Sequence, residues 1–338
     1  MVLRLLGLFY GEFNAAIKEL VRAIPLLLIP LVFALNLNNR VEKPLYFGVL
    51  TALLGILIWC EIGVVTSIVE NGESLRYFFK WPYLNFNFLG GLDLHPAYLG
   101  LFIVWTLYHT LFGNYIMAGF KYVVAVLLTV FLFQLLARNA MIVTLVMGTV
   151  FVWNHKKIWL KLLYISIIIG LLSIIGLQKS YYLRNKIFYA LEGNKSIDGQ
   201  NRFERLSASF EVFAESPLFG VGPGNDNRLR RQVYLEDGEE VAHELNYNAH
   251  NQFVEYLSTY GLLGAITFCY ILVFFGYRLY KANQLGYLFL WLAFAFSCST
   301  ESVLERSMGI KYFALLTGLI IWHLWSRERQ ESKLNIKA

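Results

Sequence analysis

The residues of this chain best suited to chemistry are a set of arginines and one histidine, most of them in polar connectors between apolar runs. Arg138 stands in Leu136-Ala137-Arg138-Asn139-Ala140, and Arg202 and Arg205 in Gly199-Gln200-Asn201-Arg202-Phe203-Glu204-Arg205. Arg306 follows Leu304-Glu305, and His250 lies in Asn248-Ala249-His250-Asn251-Gln252-Phe253. A guanidinium is planar, stays charged and grips phosphate oxygens through two parallel hydrogen bonds. His250 immediately precedes a long apolar run, so it sits near a helix N-terminus whose dipole disfavours the imidazolium form. Neutral imidazole is what a general base requires. Singly, each has a plainer reading: an interfacial histidine as a hydrogen-bonded structural residue, and span-end arginines as headgroup anchors. Together on one membrane face they would suit a diphosphate carried on a lipid.

The elements that must position them are transmembrane helices. Of 338 residues, 57% are hydrophobic and 15% charged, against about 25% charged in soluble domains. The apolar residues fall in blocks, several reaching the ~17–25 residues that cross the hydrocarbon core. About nine spans are expected: Leu20–Asn36, Leu45–Val69, Pro96–Phe112, Ile116–Leu136, Ala140–Trp153, Ile158–Leu177, Phe253–Tyr277, Leu285–Cys298 and Ile310–Trp325. Backbone in lipid must satisfy its own hydrogen bonds, and no alternating pattern suggests a barrel, so the fold class is an all-α polytopic bundle. It divides into an N-terminal bundle (1–177), a large periplasmic loop (178–249), and C-terminal helices with a cytoplasmic tail (250–338).

Orientation follows from charge. Arg40/Lys43, Lys156/Lys157/Lys161, Arg278/Lys281 and the tail with Arg327, Arg329, Lys333 and Lys337 share one side, which the positive-inside rule makes cytoplasmic. The opposite side receives the N-terminus, 71–95, Arg138, the loop and 300–309. Met1–Tyr10 has no signal-peptide pattern, and Val2–Arg22 reads as an amphipathic stretch along the outer interface. An N-out start without a leader raises the expectation that a span precedes this sequence.

Other features are secondary. Within the loop, Phe203–Glu215 reads as an amphipathic helix with Leu206, Phe210 and Phe213 on one face. Pro217-Leu218-Phe219-Gly220-Val221-Gly222-Pro223-Gly224-Asn225 marks a tight turn or close backbone approach, without the strand and spacing of a nucleotide loop. Glu236-Asp237-Gly238-Glu239-Glu240 reads as a solvated tip, and Glu301, Glu305 and Arg306 as a mutual ion-pair group. Glu61 inside the second span is either functional or paired with a polar neighbour. His95, in Asp93-Leu94-His95-Pro96, is a helix cap or a substrate contact. Cys60, Cys269 and Cys298 sit in apolar blocks without metal or disulfide spacing. No metal, cofactor or nucleic-acid partner is expected.

Taken in order, these motifs resemble the O-antigen ligases and related O-antigen polymerases. Ala137-Arg138-Asn139-Ala140 is similar to the family's Ser-Arg-x-Ala element. Arg202 then precedes Pro217-Leu218-Phe219-Gly220-Val221-Gly222-x-Gly224-Asn225, followed by His250-Asn251-x-Phe253 and Tyr260-Gly261-Leu262-Leu263-Gly264. The segment 302–314 resembles the final outer connector, and His95-Pro96 falls where many members carry a similar element. Two departures are Ala137 in place of Ser and Leu206 in place of the usual Trp. The resemblance implies a GT-C-like fold in a bacterial inner membrane, with metal-independent inverting transfer of a glycan from undecaprenyl diphosphate. It implies His250 as base and Arg138 and Arg202 as diphosphate ligands, with Arg205, Arg306, His95 and Asn251 as further substrate contacts. The acceptor implied is lipid A-core for a ligase or a growing glycan for a polymerase, with a protein acceptor as a third possibility. From a different class, a secondary transporter of an anion or glycan would explain the spans and basic face, but less readily the large outer loop.

Overall fold

The computed structural model describes residues 2–36, 41–154, 156, 158, 161, 165 and 202–335. Among them every regular element is a helix or a 3₁₀ turn. The helices are α1 (Val2–Leu6), α2 (Phe13–Ala23), α3 (Pro25–Leu35), α4 (Glu42–Glu70), α5 (Pro96–Phe112), α6 (Ala118–Gln134), α7 (Arg138–Trp153), α8 (Arg202–Glu215), α9 (Asn225–Glu236), α10 (Glu240–Glu244), α11 (Gln252–Lys281), α12 (Leu285–Cys298) and α13 (Ser307–Asn335). Two compact units emerge, one of Met1–Arg40 with Ile197–Ala338 and the other of Val41–Ser196.

The all-α expectation holds, and this is a membrane protein. Glu42–Glu70, Gln252–Lys281 and Ser307–Ser326 are long and apolar enough to cross a bilayer, and α5, α6, α7 and α12 are shorter apolar helices. Apart from residues 158, 161 and 165, the expected span at 158–177 and the opening of the large loop, 178–201, lie outside the described residues. The expected first span is divided at Pro25, which has no N–H to bond the preceding turn. Ile24, between α2 and α3, keeps helical angles. Beyond it, α3 approaches α13 closely: a methyl group at Gly318 would meet the Phe33 ring.

In the second unit, α4 shows how a span partitions its surface. Tyr46, Leu50, Leu53, Leu57, Cys60, Val64 and Ile68 recur every three or four residues and are buried, while Ile58, Trp59, Ile62 and Val69 are exposed and apolar. That pattern suits one face on protein and one on lipid. The Tyr46 hydroxyl and Thr110 Oγ1 lie 2.8 Å apart, joining α4 to α5. Gly100 of α5 faces the Ala137 and Ala140 methyls, so α5 and α7 cross with almost no space between them.

In the first unit, α11 is a continuous helix only in outline. Gly261 has φ 64° and ψ −164°, which divides it into 252–260 and 262–281. A broken helix leaves N–H and C=O groups without intrahelical partners. Here the turn 217–222 supplies partners for four of them. The N–H groups of Leu262 and Leu263 donate to the carbonyls of Pro217 and Leu218 at 2.8 and 3.3 Å. In return, the N–H groups of Val221 and Gly222 donate to Ser258 and Thr259, both at 3.0 Å. The two chains are then so close that a Cβ on Gly220 would lie 2.4 Å from the Thr259 carbonyl, and one on Gly261 2.4 Å from that of Leu218. Both glycines also need positive φ, of 72° and 64°.

Gly261→Ala should therefore destabilise the chain by strain on the order of 1–3 kcal/mol, with the clash in addition. Thermal unfolding of purified protein in detergent checks this. Gly63→Ala, where a Cβ has open space in the middle of α4, should leave the midpoint unchanged or slightly raised.

Candidate functional site

His250 is placed by the chain on either side of it. It has φ 46°, in the left-handed region that histidine tolerates better than most side chains. Asn248 Oδ1 accepts from the His250 N–H at 3.1 Å. Asn251 caps α11, its Oδ1 accepting from Phe253 and Val254 at 2.9 and 3.2 Å, while its Nδ2 donates to the Ser299 carbonyl at 3.0 Å. Asn251, expected to contact substrate, thus has its side-chain amide committed to holding the turn. Helix start and turn together aim the imidazole at Glu301, with Nδ1 3.1 Å from Oε2. A carboxylate accepting at Nδ1 fixes the tautomer and leaves Nε2 as the nitrogen able to take a proton.

Glu301 also draws in a cation: Arg202 Nη2 lies 3.8 Å from its other oxygen, with the arginine side chain about half exposed. Arg205, one turn further along α8, is buried, with its guanidinium 3.7 Å from the centre of the Tyr247 ring. Tyr247 in turn makes an edge contact with the His250 ring. Burial lowers the Arg205 pKa, and the phenols of Tyr247 and Tyr234 oppose that shift. Its Nη2 has no hydrogen-bond partner among the described residues. Arg202, Arg205, His250 and Glu301 thus form one side-chain cluster in the first unit.

The connector carrying Glu301 is held from several directions. Arg4 donates to the Leu304 carbonyl at 2.7 Å and to that of Glu19 at 3.2 Å, and Arg22 donates to the Glu305 carbonyl at 2.7 Å. The Gln252 side chain accepts from Leu304 N, and Ser302 Oγ donates to Glu255 Oε2 at 3.2 Å. The expected ion-pair group of Glu301, Glu305 and Arg306 is corrected by this arrangement. Glu301 turns to His250 and Arg202, Glu305 lies with Glu19 and Arg4, and Arg306 is exposed just after the 3₁₀ turn Val303–Glu305. A 3₁₀ turn directs neighbouring side chains apart, which charge spacing alone does not reveal. Although part of Glu305 reaches the surface, burial of its carboxyl, with Glu19 and Glu255 nearby, pushes its pKa up to about 8 against the pull of Arg4.

In the second unit, Arg138 is the first residue of α7, half-buried, after Leu136 at φ 49°. His95 caps α5, its Nδ1 accepting from Ala97 N at 3.3 Å, which favours the capping reading of that residue. Pro96 follows at the first helical position.

Three further charges, which no sequence motif marks, hold this region together. Arg230 is fully buried, with Nη2 2.9 Å from Glu255 Oε1 and 3.3 Å from Asp226 Oδ2. Glu255 Oε2 also accepts from Ala249 N at 2.8 Å, the residue before His250. Thr259 Oγ1 and Gly224 N both donate to Asp226, at 3.1 and 3.0 Å. Burial raises the Asp226 pKa to about 6, with Arg230 opposing and Glu255 adding to the shift. The four-residue spacing of Asp226 and Arg230 on one helix was the available signal, but it resembles any solvated pair.

Arg230→Ala would leave two buried carboxylates without their cation, so it should cost about 3–5 kcal/mol, measured by thermal or denaturant unfolding. The exposed Arg231→Ala should be far milder. A carboxyl that ionises later in the folded chain than in the unfolded one contributes stability that is intact at low pH and lost as pH rises through its folded pKa. For Glu305 that window runs from its ordinary 4.5 to about 8. The unfolding midpoint should fall across it, and Glu305→Gln should flatten the fall.

Residues 123–269 match a family model described as "Wzy_C: O-Antigen ligase", a stretch that takes in Arg138, Arg202, the turn 217–222, His250 and the break at Gly261. No curated protein matches the chain. Over residues 123–269, this membrane protein is similar to the O-antigen ligase superfamily.

Proposed function

We propose that the chain transfers a glycan from undecaprenyl diphosphate to an acceptor hydroxyl on the periplasmic face of the bacterial inner membrane, as an O-antigen ligase acting on lipid A-core. The observation that carries this reading is the sharing of Glu301 by His250 and Arg202: one carboxylate orients a base and sets a phosphate-binding cation beside it. The His250 Nε2 takes the proton as the acceptor oxygen attacks the anomeric carbon. The bond from that carbon to the diphosphate oxygen breaks, and the diphosphate leaves with the electron pair, inverting the configuration. Arg202 binds the leaving diphosphate, and Arg205, with a donor to spare, is placed to assist. Arg138 is assigned to diphosphate binding by the resemblance alone, as is the lesser contact at Arg306. Such chemistry needs no metal, so transfer should persist in excess chelator. The periplasmic placement rests on the charge of the connectors, with residues 178–249 as the extracytoplasmic loop.

His250→Ala should lower transfer of labelled glycan by purified protein in detergent by about 10²–10⁴-fold while the protein still folds. Glu301→Gln should lower the turnover rate more than it weakens donor binding, because it acts through the histidine. Arg202→Lys should impair transfer by losing the bidentate grip. Full activity in His250→Ala would remove the base from the mechanism, and a secondary transporter would show no transfer at all without a sealed membrane. A deletion strain separates the acceptors: long glycan accumulating on the lipid carrier marks a ligase, single-repeat capping a repeat-unit polymerase.

A further inference from the structure

Helix α8 turns the wrong side outward for a soluble loop. Its buried face is small or polar: Arg205, Ala208, Ser209 and Val212. At about 100° per residue, Phe203 and Phe210 lie on nearly the opposite side, and they are 75% and 47% exposed. Leu206 and Phe213 flank them, half-buried, while Glu204, Glu211 and Glu215 form a separate stripe on the same helix. The turn that follows adds Leu218 and Phe219, each 60% exposed. Water around so many contiguous large apolar side chains would be costly.

The occupant of this face is indicated by its continuity with a span. The second part of α11, 262–281, is 20 residues by its bounds, or about 30 Å at 1.5 Å per residue, enough to cross the hydrocarbon core unaided. Arg278 and Lys281 mark one end of it. The other end falls at the Gly261 break, where the backbone of Pro217 and Leu218 is bonded to Leu262 and Leu263. Leu262, Leu263 and Ile266 are exposed there, so the apolar end of the span adjoins the exposed Leu218 and Phe219 through the Leu263–Leu218 backbone bond.

We infer that α8 is a monotopic helix, seated with Phe203, Phe210, Leu218 and Phe219 among the acyl chains at the outer boundary of the bilayer. Its acidic stripe faces water. The helix thus lies in the plane of the interface, as amphipathic helices with an apolar face and a separate charged face do. Arg202, its first residue, is thereby held at the depth of lipid phosphates. The inference rests on α11 being a span and not on the transfer reaction, so either can fail without the other.

Spin labels on single cysteines placed at Phe203, Phe210 or Phe219, with Cys60, Cys269 and Cys298 replaced by alanine, test it. The full chain is reconstituted in phosphatidylethanolamine–phosphatidylglycerol liposomes without donor. Collision with oxygen relative to a water-soluble nickel chelate should be several-fold higher at these sites than at Glu211 or Glu236, and close to that at Ile266. Nickel collisions matching those at Glu236 would overturn the inference. So would labels shielded from both probes, the sign of another protein or a second copy covering the face. On the unmodified chain, a phospholipid bearing a diazirine in its acyl chain should label peptides within 202–219. Labelling of 262–273 without any in 202–219 would contradict it equally.

Discussion

The first unit depends on how the backbone accounts for its hydrogen bonds where α11 breaks. A helix cannot be interrupted near lipid unless every freed N–H and C=O finds another partner. The turn 217–222 inserts there and satisfies four of those groups, giving two donors and two acceptors. Gly220 and Gly261 permit the contact because each lacks a Cβ where the other chain's backbone passes. The glycine-rich turn and the Tyr260-Gly261-Leu262-Leu263-Gly264 segment are thus two halves of one joint, which seats the large loop against the span.

A second constraint locks the same joint from the side. Arg230, on α9, reaches into the short helical segment 252–260 and meets Glu255, while Asp226 closes the set. Isolating three charges from water costs free energy, and only mutual pairing and further hydrogen bonds from Ala249, Ser302, Thr259 and Gly224 make that tolerable. The result is positional. Glu255 grips the residue before His250 with the same carboxylate oxygen that accepts from the Glu301-bearing connector. His250 and Glu301 are therefore referred to a single buried point.

The N-terminal residues complete the support. Arg4 and Arg22 bind carbonyls of the 304–305 turn, Tyr260 donates to Glu19 at 2.7 Å, and Gly7 and Gly11 pack against Pro223. The amphipathic stretch read from Val2–Arg22 thus braces the polar connectors of its own unit. Of the two departures from the family's pattern, Ala137 has a local counterpart: its methyl lies against Gly100, where α5 and α7 nearly touch. Nothing in the structure explains Leu206.

Apolar periodicity alone was enough for the helical class and for the placing of most apolar helices, because lipid leaves a long apolar backbone no other way to satisfy itself. The same pattern put Leu206, Phe210 and Phe213 on one face of α8, but not which way that face would turn. His250, Arg202 and Arg205 were legible as candidates from residue type and motif order. Glu301 as the partner of His250 was not, since the two are far apart in sequence and a carboxylate in a short connector looks like any surface charge. Asp226 and Arg230 showed only a helical spacing that any solvated pair shares, and nothing local tied Glu255 to them. Sequence determines which residues are apolar, rigid or charged, through local spacing that any helix preserves. Which charges end up buried together is decided only by long-range packing, because that depends on where the broken α11 and the inserted turn bring distant segments into contact.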